Sequence, residues 1–202
     1  MTAKATIPKP RDLERARAVF RGHEPRDVFY RAAVELVEGA LRGDSRLKVS
    51  EVLAVLLQTW DKAYYQHRSF DERYMLDMDL LCESHETDVE LCRGMTLDEL
   101  TPDDERFVRD LYGDFEAVLG PAGAAKALHL LAPAFFPLWD RAIAQACGLA
   151  LQKTGSNSEL YFRFMRLTQL QCRELRSAGV PGDDLLKRID EYNYCRYTKG
   201  WL

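Results

Sequence analysis

The sequence predicts an all-α protein, a compact multi-helix domain of about nine or ten helices spanning residues 1–202. Two observations lead there. Apolar residues recur every three or four positions along most of the chain. No run sustains the apolar/polar alternation of a half-buried strand, and no internal repeat or low-complexity tract interrupts the pattern.

Asp12 to Phe20 reads as the first helix, with Leu13, Ala16 and Phe20 on one side. Asp27 caps a longer helix through Leu41. Val28, Ala32, Leu36 and Ala40 form its expected inward stripe, with Phe29, Ala33 and Val37 beside them. Gly43-Asp44-Ser45 ends it. Lys48 to Tyr65 is the most apolar segment, and Val49, Val52, Leu53, Leu56, Leu57 and Trp60 should place it near the centre. Another helix runs from Ser69 or Phe70 to Ser84, with Tyr74, Met75, Met78 and Leu81 inward, and a polar segment follows. Thr101-Pro102-Asp103-Asp104-Glu105 is a strong helix start. Thr101 serves as N-cap, Pro102 fits the first turn, and acids there suit the helix dipole. That helix should reach Leu119 with Phe107, Leu111, Phe115 and Val118 inward.

After a glycine-containing bend come a helix from Arg141 to Leu149, a polar loop over 153–158 and a long helix from Glu159 to Ser177. Gly179-Val180-Pro181-Gly182 ends that helix, and the last one covers Asp183 to Tyr194. Four aromatics (Tyr192, Tyr194, Tyr197, Trp201) then interleave with Arg196 and Lys199. Chain ends are usually polar and loose. This tail is expected to dock back on the body; a base-stacking surface is the other reading.

Charge is distributed unevenly. The net charge is −4, yet residues 71–120 hold 16 acidic and 4 basic side chains. Residues 1–50 and 121–202 each hold 11 basic and 7 acidic ones. A nucleic-acid binder needs a basic face, which the two ends would supply with the acidic middle turned away. No apolar run approaches the roughly 20 residues that span a bilayer, and the first residues lack the apolar stretch of a signal peptide. A cytoplasmic protein with no membrane partner is expected. The five cysteines are widely spaced and read as free buried thiols. Cys82, His85 and Cys92 lie close together but lack CxxC spacing and a fourth ligand, so no metal and no cofactor is expected.

The segment Leu119 to Gly148 concentrates the chemistry. Gly120-Pro121-Ala122-Gly123 precedes a short apolar helix bearing Lys126 and His129, and Asp140 stands at the next helix start. Backbone N–H groups at Gly120, Ala122, Gly123 and Ala124 would form a concavity for a phosphate oxygen. Asp140 would stabilise an oxocarbenium-like sugar or orient a nucleophile, and a desolvated Lys126 would serve as a Schiff-base amine. Trp60, Tyr64, Tyr65, His129, Phe135, Phe136 and Trp139 are candidate walls or edges of a base pocket. Each residue also has a structural reading: Asp140 as an N-cap, Lys126 as a solvated lysine, His129 as a hydrogen-bonded core histidine, the glycines as a tight turn and the aromatics as core.

These motifs resemble the helix-hairpin-helix DNA glycosylase superfamily, in which a Leu-Pro-Gly-hydrophobic-Gly turn joins two helices and an essential Asp follows at a helix start. Leu119-Gly120-Pro121-Ala122-Gly123 takes the hairpin place and Pro137-Leu138-Trp139-Asp140 the Asp place. Val52 to Trp60 is similar to the apolar helix near the start of that fold. The hairpin reads Gly-Pro where the family has Pro-Gly, and Lys126 stands three residues after Gly123 rather than two. The resemblance covers residues 30–175, leaving a C-terminal helix and tail over 183–202. It implies a helix-hairpin-helix glycosylase-like fold, DNA as partner, and excision of a modified base in DNA repair, with Asp140 and Lys126 catalytic. The alternative is a non-catalytic helical module binding protein or nucleic acid on the same scaffold.

Overall fold

A computed structural model describes residues 7–60, 69–182 and 184–202, apart from the side chain of Trp60. The described residues contain nine α-helices and no strand. In chain order these are α1 (Pro10–His23), α2 (Asp27–Leu41), α3 (Val49–Trp60), α4 (Glu72–Ser84), α5 (Glu86–Arg93), α6 (Glu105–Leu131), α7 (Arg141–Ala146), α8 (Ser158–Ser177) and α9 (Leu185–Asn193). Short 3₁₀ turns occupy Leu97–Glu99 and Pro102–Asp104, and a π-helical turn covers Tyr194–Thr198.

α6 is the axis of the fold. It packs on α2, α3, α4, α5 and α8, while α1 lies against α9. The core follows from the apolar spacing. Leu13, Ala16 and Phe20 of α1 are buried, as are Val52, Leu53, Ala54, Leu56 and Leu57 of α3. On α4, Tyr74, Met78 and Leu81 are buried and Met75 packs beside them.

The α2 stripe differs from the one expected. Ala33 and Val37 are buried, whereas Val28, Phe29 and Leu36 are exposed. Apolar residues cover much of this helix's circumference, so periodicity admits two parallel lines, and the Ala33–Val37 line is the one that meets α3 and α6. The polar segment after Ser84 contains α5. It is eight residues long and buries only Val89 and Cys92, too short for a periodic stripe to be read.

Capping positions the rest. Asp71 accepts the Tyr74 amide at 3.0 Å and starts α4. Thr101 and Asp104 form a reciprocal capping box around Pro102, and the resulting 3₁₀ turn runs directly into α6. α6 continues past Leu119 to Leu131 but bends at Gly120, whose φ of 72° and ψ of 171° suit only glycine. Pro121 cannot donate to the preceding turn, which fixes the bend there. α7 ends at Ala146, three residues sooner than expected, and α9 gives way at Tyr194 to the wider π turn. The tail does dock: Tyr194 and Trp201 meet edge to face, and Trp201 lies tilted against His23 of α1 with ring centroids 5.3 Å apart.

Candidate active site

The polar N-terminal turn of α7, the middle of the second half of α6, and the α1–α2 and α9 ends converge on one cleft of about 100 Å³. Lys126 from α6 and Asp140 at the start of α7 both line it. Asp27 and Tyr30 of α2 and Lys187 and Asp190 of α9 line the opposite side. Phe20, Glu24, Arg26 and Tyr194 complete the rim.

Asp140 is an N-cap, as its position implies: Oδ1 accepts the Ile143 amide at 2.8 Å. Its second oxygen, Oδ2, accepts the Thr198 hydroxyl from the tail at 2.7 Å. The carboxylate is partly exposed to the cleft and is not sealed behind Trp139.

Lys187 is a closely confined cation on the cleft wall. Its Nζ lies 3.6 Å from both Asp27 Oδ1 and Asp190 Oδ2, and it sits over the rings of Tyr30 and Phe20 at 4.4 and 4.6 Å. Both Lys187 and Asp190 side chains are nearly buried, at 12% and 13% exposed. Burial pushes the Asp190 carboxyl up to about 6; Lys187 and Lys126 oppose that rise and the charge of Asp140 adds to it. Asp190 thus feels both lysines and the candidate catalytic acid. At the rim, hydrogen bonds from Arg26 hold the Glu24 carboxyl down at about 2. Burial, reinforced by Asp190 and Asp27, raises the Tyr30 phenol well above its usual value.

The other residues expected from sequence lie elsewhere. His129 is fully buried behind Tyr30 and does not line the cleft. It is a core histidine joined to the site through the Tyr30 hydroxyl, 3.0 Å from Nε2. Phe135 and Phe136 are core. Trp139 is 1% exposed, with its ring among Tyr112, Tyr161 and Phe164, so it closes the cleft floor from within the core and offers no open stacking face. Tyr64, Tyr65 and the side chain of Trp60 lie outside the described residues.

The Gly120–Ala124 bend does not share the cleft: none of its residues is among those lining it. Gly120, Gly123 and Ala124 are buried and Ala122 is half-buried. The Pro121 carbonyl is held by the Tyr112 hydroxyl at 2.8 Å and the Trp139 indole at 3.2 Å. These bonds tie the bend to the core side of α7. The groove on its α4 side, at Ala117 and Val118, carries Asp71 and Asp77 against Arg73.

His85, read with Cys82 and Cys92, is taken up by carboxylates: Asp88 at 2.9 Å and Asp114 at 3.1 Å. Among the described residues no group of three or more His, Cys, Asp or Glu side chains is placed to hold a metal, and no helix is long and apolar enough to cross a membrane.

Sequence reasoning did not single out Asp27, Tyr30, Lys187 or Thr198 as site residues. α2 was legible as a helix but its site-facing line was not, and Lys187 carries no local signal. Asp190, Tyr194 and Thr198 fall in the tail, whose docking was legible without its destination. Comparison with protein-family models, with curated proteins and with solved structures returns no significant match.

Proposed function

We propose that the chain is a DNA-glycosylase-like protein that excises a modified base, with Lys126 and Asp140 as the reacting pair. The observation that carries this reading is that both side chains line one cleft although they come from different helices. The lining itself carries Glu24, Asp27, Asp140 and Asp190 against Arg26, Lys126 and Lys187, so the basic charge lies around the cleft and not in it. Every lining residue comes from the two net-basic stretches and none from 71–120. Exposed Arg26, Arg141 and Lys199 lie in or next to the lining segments, where phosphates of a duplex would pass.

In this reading the sugar C1′ of the target nucleotide faces the two groups. The N-glycosidic electron pair leaves with the base, which takes up a proton from solvent. The carboxylate of Asp140 stabilises the positive charge that develops on the sugar. Lys126 gives up a proton to solvent and its lone pair bonds to C1′; a proton then passes from the new C–N nitrogen to O4′ as the C1′–O4′ bond opens, and water hydrolyses the resulting Schiff base. Tyr194 lines the cleft half-buried, while Lys187 covers the rings of Phe20 and Tyr30.

One observation favours a non-catalytic binding module instead. The cleft is about 100 Å³, smaller than the roughly 150 Å³ that holds a benzene ring in a protein cavity. A base enters only if the mouth opens. The deciding experiment is base release from duplexes carrying oxidised, alkylated or deaminated bases, in wild type and Asp140→Asn. Asn keeps the cap and loses the charge. Release that depends on Asp140 supports excision, and equal release in both removes Asp140 from the chemistry. No release from any duplex leaves the binding module.

A further inference from the structure

The cap function of Asp140 needs one oxygen, yet both are held. A helix N-cap bonds a backbone amide through a single side-chain atom, here Oδ1 to Ile143. The second oxygen receives a hydroxyl from a residue 58 positions further on. We propose that Thr198 is a positioning residue for Asp140 and that the π-helical turn over 194–198 serves to deliver it; this rests on the excision reading above.

The delivery is built with some care. α9 turns into a π helix at Tyr194, closed by the Lys199 amide donating to the Tyr194 carbonyl at 2.9 Å. The Trp201 amide donates to the Cys195 carbonyl at 2.8 Å, which keeps the turn wide. π turns are rare and concentrate at functional sites, because the extra residue per turn swings later side chains to a new bearing. Here the side chain so placed is Thr198, and the turn packs directly on α7.

Three anchors fix the segment. The Tyr194 hydroxyl donates to Glu24 Oε2 at 2.6 Å and accepts from Arg26 at 3.0 Å. Cys195 is fully buried, its thiol against the Ala16 carbonyl. Trp201 lies tilted against His23. The effect of this anchoring at the site is to stop rotation of the Asp140 carboxylate, so that the same oxygen faces the sugar in every encounter.

The test compares wild type, Thr198→Val and Thr198→Ser in single-turnover base release on the duplex that wild type processes, with duplex affinity measured in parallel. Valine keeps the shape and removes the donor; serine restores the donor. The expected result is a release rate about 10-fold lower in Thr198→Val, unchanged duplex affinity, and recovery in Thr198→Ser. A valine variant as fast as wild type, or faster because the hydroxyl had been blocking the acid, overturns the proposal while leaving excision intact. A loss that appears only in affinity, or that serine does not restore, also overturns it. Wild type with no Asp140-dependent release overturns excision, and the role of Thr198 falls with it.

Discussion

The buried imidazole of His129 donates Nδ1–H to the Phe136 carbonyl at 2.7 Å and receives the Tyr30 hydroxyl at Nε2, 3.0 Å away. A carbonyl only accepts, so a proton sits on Nδ1, and burial keeps the ring neutral, which leaves Nε2 to accept from Tyr30. The pair ties the core end of α6 to the cleft wall on α2, and it stiffens the wall that Tyr30 presents.

Burial, aided by the charge of Lys187 and opposed by the Phe136 hydrogen bond, lowers the His129 pKa to about 4. The folded value lies below that of the unfolded chain, which therefore binds more protons between about 6.5 and 4. The contribution is complete above pH 6.5 and is lost as pH falls through about 4; it is on the order of 3 kcal/mol. Urea unfolding of wild type and His129→Gln should show a larger stability gap at pH 7 than at pH 4.5. A gap independent of pH would contradict the neutral buried ring.

Glu191 behaves in the opposite sense. Burial pushes its carboxyl up to about 7, against the pull of Lys187 and Arg17 and with the push of Asp190 and Asp27. Its Oε2 is buried without a hydrogen-bond partner among the described residues. The folded value exceeds the unfolded one, so the stability it allows is present below pH 4.5 and lost as pH rises through about 7. Glu191→Gln should gain on wild type by on the order of 2 kcal/mol between pH 5 and pH 8. Parallel stability curves for the two proteins would count against this.

The bend at Gly120 can be tested without reference to function. Alanine there must hold a φ of 72° with a ψ of 171°, at a cost on the order of 1–3 kcal/mol. Gly120→Ala should lower the thermal midpoint by several degrees. An unchanged midpoint would mean the chain relaxes the bend at no cost.

Asp140 should separate stability from chemistry. Asp140→Ala removes the cap and should cost about 0.5–2 kcal/mol, while Asp140→Asn should cost only a few tenths. Both should abolish base release. Thermal melts read the first effect and release assays the second. A variant that loses activity only in proportion to its stability would return Asp140 to a purely structural role.

What the sequence made legible follows from its physics. Helices with one dominant apolar line, such as α1 and α8, were readable because one face was apolar and the other was not. The bend at Gly120 was readable because Gly-Pro offers the backbone few alternatives. α2 was not, since two apolar lines compete and only the neighbours decide between them. At the site, Lys126 and Asp140 were visible as motif residues, but the phosphate notch was not where the motif suggested. A glycine pair specifies a bend, and which side of it faces solvent depends on Tyr112 and Trp139 holding the Pro121 carbonyl. Lys187 and Thr198 came from the far end of the chain, where no local pattern announces a long-range contact.

The most direct measurement is covalent trapping. The protein is mixed with a duplex containing an abasic site, treated with cyanoborohydride to reduce any Schiff base, digested, and the modified lysine located by mass spectrometry. The account requires the adduct on Lys126, and requires the same adduct from a duplex that still carries its modified base to fall sharply in Asp140→Asn. An adduct spread over exposed lysines such as Lys153 and Lys199, or no adduct at all, would contradict a reacting pair of Lys126 and Asp140.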